Sequence, residues 1–376
     1  MVELAPGTYY AKEEGEFGYI PPVHLPEGVT LRGAPGKSRP LIVMPADSFA
    51  DSALYVPEKA EVTNVEIRNL MDTAGAIDVS GGTIDGVIAR STITSEPTCS
   101  FFYGTVRNSA CIAAGGGPAI GTNNTAFKGT FNAFIRNSTL VATGPGSVGM
   151  RFVFSAFRRG MTVNVDVVGT LIAGEEKDVI AKGWPLNKGR GAVVDVDLRN
   201  SRYATVETEA RAGGRATVTP PGADGNVRAI PLLARDNLHQ LPDSPTVDRG
   251  AVDSASGDLD VDGQYRAMGT GPDIGADELD PLAVPLTNSA PDTTLTAEVI
   301  PLSAGSRIPA IFSFGSSEFG SRLECRLDRG PYRACVSPYR RKVDGPGRHV
   351  FRVRSVDALG LADLTPATYR WRIRLR

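Results

Sequence analysis

The chain has 376 residues, with 42 Gly, 27 Pro, 41% hydrophobic and 22% charged residues, a balance that excludes a disordered chain and a large helical bundle. Glycine and proline punctuate the sequence too often for long helices, so a mostly β protein is expected. The formal charge of −2 is segregated: residues 236–280 carry 11 acids against Arg249 and Arg266, residues 290–376 carry 15 Lys/Arg against 8 acids, and the first 235 residues balance.

No run of 18 apolar residues occurs, so no transmembrane helix is expected. The opening Met1-Val2-Glu3-Leu4-Ala5-Pro6-Gly7 lacks the basic-then-apolar order of a signal peptide. Because these residues already read as a strand and turn, Met1 is expected not to be the true start, with an export signal and an amphipathic cap upstream of it.

Through the first 200 residues a phrase recurs, a β-branched or aliphatic residue followed by Arg-Asn and further apolar positions: Ile67-Arg68-Asn69-Leu70, Val106-Arg107-Asn108-Ser109, Ile135-Arg136-Asn137-Ser138 and Leu198-Arg199-Asn200-Ser201. Ser91 and Gly169 stand at the Asn position in weaker copies. Asn and Gly tolerate the left-handed conformation, so Asn69, Asn108, Asn137 and Asn200 are read as a ladder of sharp turns between short strands. The uneven spacing suits stacked coils with loops of free length. These phrases, with Leu25-Pro26-Glu27-Gly28-Val29-Thr30-Leu31-Arg32-Gly33, resemble right-handed parallel β-helix proteins of the pectin-lyase-like type over residues 1–235.

Residues 236–280 contain Ser244-Pro245-Thr246-Val247-Asp248-Arg249-Gly250 and Asp273-Ile274-Gly275-Ala276-Asp277-Glu278. These phrases resemble the terminal segment of bacterial surface proteins of the choice-of-anchor Q type. The resemblance implies a cap over the last open coil of the helix. Within it, Asp258-x-Asp260-x-Asp262-Gly263 has the odd-position carboxylates and glycine of a calcium loop, although position 12 is Gly269 and not the Glu of an EF-hand. Asp258, Asp260 and Asp262 are therefore the candidate ligands of a structural calcium ion, with turn capping as the alternative.

A Pro-punctuated linker, 281–291, leads to residues 292–376. Period-two alternation there predicts half-buried strands of a small antiparallel β-sandwich, and the phrases around Cys325, Val353 and Leu364 resemble a bacterial immunoglobulin-like module. Arg352, Arg354, Arg370, Arg372, Arg374 and Arg376 alternate with Phe351, Val353, Trp371, Ile373 and Leu375. They are expected on one exposed face able to hold an anionic polymer, the alternative being a plain solvated surface. The aromatics face the opposite way, into the core, which argues against nucleic acid.

Cys99 with Cys111, and Cys325 with Cys335, form two close pairs. Disulfides in an oxidising compartment are expected, most firmly Cys325–Cys335 across the Asp328-Arg329-Gly330 turn; spacing alone leaves free thiols open. Enzyme chemistry is thinly represented. The Gly-His-Gly phrase and paired carboxylates of polygalacturonase-type hydrolases are absent. A calcium-dependent lyase acting on uronate polymers would draw on Arg151, Arg158, Arg159, Lys182 or Lys188 with Asp166 and Asp178. The reading is thus an all-β, extracellular or cell-surface monomer that binds carbohydrate or an anionic cell-wall polymer without catalysis, with the lyase as the competing class.

Overall fold

The computed structural model describes residues 1–11, 23–48, 50–71, 74–92, 95–185, 191–211, 213–282, 288–299, 309–343 and 345–374, with only the backbone described at 123–127, 156–159 and 299. The described residues contain strands and no helix, so none is long and apolar enough to cross a membrane.

The described strands of residues 1–218 form two parallel sheets. One has seven strands in the spatial order Leu171–Gly174, Thr139–Thr143, Ala110–Ala114, Ile88–Ser91, Glu66–Asn69, Leu41–Met44 and Thr8–Tyr10. The other has thirteen, and its longest members, Pro118–Arg136 and Val148–Val168, pair with their neighbours in two or three stretches separated by register shifts or a change of partner. Glycine makes such bends. In Gly75–Asp85 the first residues pair with Ser52–Val56 and the last with Glu61–Thr63. At the bend between them Gly81 has φ +94°, and a Cβ on Gly82 would lie 2.6 Å from the Pro57 carbonyl oxygen.

From Glu61–Thr63 to Val193–Arg199, a left-handed residue turns the chain each time it leaves the thirteen-stranded sheet toward the seven-stranded one. Asn64, Gly86, Asn108, Asn137, Gly169 and Asn200 have φ of 53°, 65°, 47°, 42°, 62° and 47°. Their N–H groups donate to the carbonyls of Asp85, Arg107, Arg136, Val168, Arg199 and Asp224, each belonging to the next passage. Asn69 is not among them, contrary to the sequence reading. It ends a strand opposite Met44, and its side chain closes the following loop, accepting from the Met71 N–H at 2.8 Å and donating to the Gly75 carbonyl at 3.2 Å. The turn of that passage is at Asn64.

Alternate residues of these strands, such as Val163, Val165 and Val167, stack inward into one apolar core. Four strands of the seven-stranded sheet are also buried on their outer side. Ile88, Ala110 and Ile112 pack under Leu238, Val261 and Ala276, and Val141, Leu171 and Ala173 pack under Leu233 and Ile274. Residues 233–278 therefore run along the flank of the stack, whereas the sequence reading put this segment over its last coil. An apolar outer face extending over several strands needs cover along its whole length, and the long-range contacts supply it.

Beyond residue 292 the strands are antiparallel. Thr293–Val299, Ala310–Ser316 and Tyr339–Arg341 form one sheet, and Arg333–Cys335, Arg322–Leu327, Gly347–Val356 and Ala367–Ile373 form another. Phe312, Phe314, Phe351, Val353, Trp371 and Ile373 make their common core. The unit is joined to the parallel-strand body through Asn237, which donates to the Ser317 carbonyl at 2.9 Å and accepts from the Phe319 N–H at 3.0 Å. The Phe319 ring lies 5.4 Å from the buried Arg202 guanidinium.

Candidate functional site

In the four-stranded sheet the residues alternate as the sequence implies. Phe351, Val353, Trp371 and Ile373 are buried while Arg370, Arg372 and Arg374 are exposed and Arg352 and Arg354 half-exposed. The register then sets positive charges against one another: Arg326 is opposite Arg352, and Arg348 is opposite Arg372. Like charges directly opposed across strands are destabilising. Relief comes at one end, where Glu324 lies 2.8 Å from Arg354 and 3.5 Å from Arg322. There the Tyr332 ring also lies 4.3 Å from the Arg354 guanidinium and 5.1 Å from that of Arg326. Among the described residues, Arg348, Arg352, Arg370, Arg372 and Arg374 have no carboxylate within 4.0 Å. Arg376 lies outside the described residues.

Both cysteine pairs are disulfides. Cys325–Cys335 joins adjacent antiparallel strands with Cα atoms 5.8 Å apart, and Cys99–Cys111 joins the two parallel sheets through the core with Cα atoms 5.9 Å apart.

The flank segment meets the turn ladder through two buried arginines. Arg266 donates to Asn108 Oδ1 and to the carbonyls of Asn137, Gly275 and Ala276, at 2.9–3.1 Å. Arg136 bridges Asp166 at 2.7 Å and Asp253 at 2.8 Å. Sequence reading noted both arginines, one as a charge and the other as part of a repeat, but the partners that join segment to ladder, Asn108 and Asn137 for Arg266 and Asp253 for Arg136, lie more than 100 residues away.

The three aspartates of the proposed calcium loop are used differently. Asp260 is buried, and its oxygens accept from the N–H groups of Asp262, Gln264 and Glu278, the turn-capping alternative. Asp262 faces Arg39 at 3.2 Å and His239 Nε2 at 2.8 Å. Asp258 is exposed and lines a cavity of about 780 Å³ between this loop and the turn ladder, beside Lys37, Asp85 and Arg107. Among the described residues, the group close enough to share an ion is a different one: His239, Asp262 and Asp277, whose ligand atoms lie within 4.8 Å of one another. The other His239 nitrogen, Nδ1, contacts Asp236 Oδ2. Burial disfavours the charged imidazole, yet Asp236, Asp262 and Asp277 overcome this and hold its pKa up at about 10. Burial pushes the Asp277 carboxyl up to about 7.

The residues considered for elimination chemistry have structural partners where they are described. Asp166 ties Arg136 and Arg199, and Lys182 meets Glu207 and Glu209. Asp178, buried, lies 3.4 Å from Arg202 and accepts from the Gly174, Ala204 and Thr205 N–H groups. Arg151 donates to the Ser95 carbonyl at 2.9 Å. The side chains of Arg158 and Arg159, and all of Lys188, lie outside the described residues. No family model, curated protein or solved structure matches the chain.

Proposed function

We propose that this is an extracellular or surface-displayed protein that binds an anionic carbohydrate or cell-wall polymer through the arginine face of its C-terminal unit, without cleaving it. In this reading residues 1–235 are a right-handed parallel β-helix that acts as a stalk, residues 236–280 its acidic cover, and residues 292–376 an immunoglobulin-like sandwich. The parallel registers and the ladder of left-handed turns support the first assignment, and the two disulfides weakly support the compartment.

The observation that carries the reading is the opposition of Arg326 to Arg352 and of Arg348 to Arg372. A sheet face that sets guanidinium groups against each other is strained in isolation and relieved by a line of anions. The full chain should be retained on immobilised polygalacturonate, with retention falling steeply between low and physiological salt. The triple variant R348Q/R370Q/R372Q should lose at least about tenfold in affinity if two or three charged contacts of about 1 kcal/mol each are removed. Equal retention of the triple variant, or no retention of the wild type on any polyanion tested, would remove the proposal. Release of unsaturated sugar product during the same incubation would move the chain to the lyase class.

A further inference from the structure

We infer that His239, Asp262 and Asp277 form a site for one divalent transition-metal ion of the zinc class, which fastens the flank segment to itself. The three residues come from separate passages of that segment, and their ligand atoms already lie within 4.8 Å of one another. Four-coordinate zinc with nitrogen and oxygen bonds of about 2.0–2.2 Å needs ligand atoms roughly 3.3–3.5 Å apart, so a small closing movement completes the set and leaves one position for water.

The imidazole is arranged as a ligand should be. Asp236 holds Nδ1, and its Oδ1 is itself fixed by the Leu238 and His239 N–H groups at 3.0 and 3.1 Å. Nε2 is left pointing at Asp262, 2.8 Å away. A carboxylate on the far nitrogen is the usual outer partner of a metal-bound histidine, fixing the tautomer and raising the basicity of the ring. Asp277, 5% exposed, is held by the Gln240 N–H at 2.7 Å. Asp262 still meets Arg39 through Oδ1, so Oδ2 is the oxygen offered to the ion.

A second observation comes from the charges around the group. Asp260, Asp273 and Glu278 are buried beside it, and among the described residues none has a basic group within 4.0 Å. The nearest buried cation, Arg266, spends its donors on an amide oxygen and three carbonyls and none on a carboxylate. Several acids buried together without a directly paired base are costly to ionise, and a bound cation offsets that cost. A metal-bound Nε2 carries no proton, so any proton there goes to solvent on binding while Nδ1–H stays on Asp236. The nitrogen donor and small oxygen count select zinc-class ions over calcium, which prefers six to eight oxygens.

The test uses the full chain stripped with chelator and titrated calorimetrically with ZnCl2 and, separately, CaCl2. One equivalent of zinc should bind and raise the melting temperature. H239Q should lose at least about tenfold in zinc affinity, D236N should lose about 10–100-fold by releasing the ring, and H24Q/H349Q should bind as the wild type does. X-ray absorption on the zinc-loaded chain should report mixed nitrogen and oxygen ligands. Absence of zinc binding, calcium binding alone, or zinc binding unaltered in both H239Q and D236N would overturn the assignment.

Discussion

Glu318 sits where the C-terminal unit meets the body, 4% exposed, with its Oε2 lacking a hydrogen-bond partner. Burial, reinforced by the nearby Asp357, pushes its carboxyl up to about 7 from the usual value near 4.5, while Arg235 pulls the other way. For an acid raised on folding, the stabilisation is complete below the unfolded value and is lost as pH rises through the folded one. Glu318→Gln should therefore raise the melting temperature by a few degrees at pH 8 and change little at pH 5; an equal effect at both would show that charge is not the cause. A residue-scale test of the turns is available at Asn64, whose φ is 53°. Asn64→Val should lose about 1–2 kcal/mol in denaturant melts, and Asn64→Gly should be nearly neutral. Four of the turns were legible, as Asn108, Asn137, Gly169 and Asn200. Asn69 misled because Ile-Arg-Asn reads the same whether it ends a strand or makes the turn, and only the pairing opposite Met44 distinguishes them.

At the scale of elements, the strand Ala110–Ala114 is covered on both faces, Cys111 and Ala113 by the core and Ala110 and Ile112 by the flank segment. What covered its outer side was not legible. The covering residues, Leu238, Val261, Ile274 and Ala276, are scattered among acids and prolines with no period of 2 or 3.6. The same was true of the candidate metal group, since nothing in the spacing of His239, Asp262 and Asp277 marks them as neighbours. The arginine face, by contrast, followed directly from alternation along two strands. Ile274→Ala, at a fully buried position, should destabilise the chain by about 2–4 kcal/mol. Val252→Ala, at a position 51% exposed, should stay within about 0.5 kcal/mol. Equal losses in thermal or denaturant melts would mean that the flank segment packs elsewhere.

For the molecule as a whole, the flank segment reaches back from Gly275, whose N–H donates to the Gly169 carbonyl at 2.9 Å, through Arg266 on Asn108, to Asp262 on Arg39. It thus lies against passages laid down as much as 223 residues earlier. Synthesis from the N-terminus consequently produces the seven-stranded sheet well before its cover exists. For that interval Ile88, Ile112, Val141 and Leu171 present a greasy strip to whatever surrounds the growing chain. Nascent protein is therefore expected to be vulnerable to self-association over the span between about residue 171 and residue 276, and to depend there on a holding chaperone or on slow release. A fragment ending at residue 235 should form aggregates visible by light scattering at concentrations where the full chain stays dispersed.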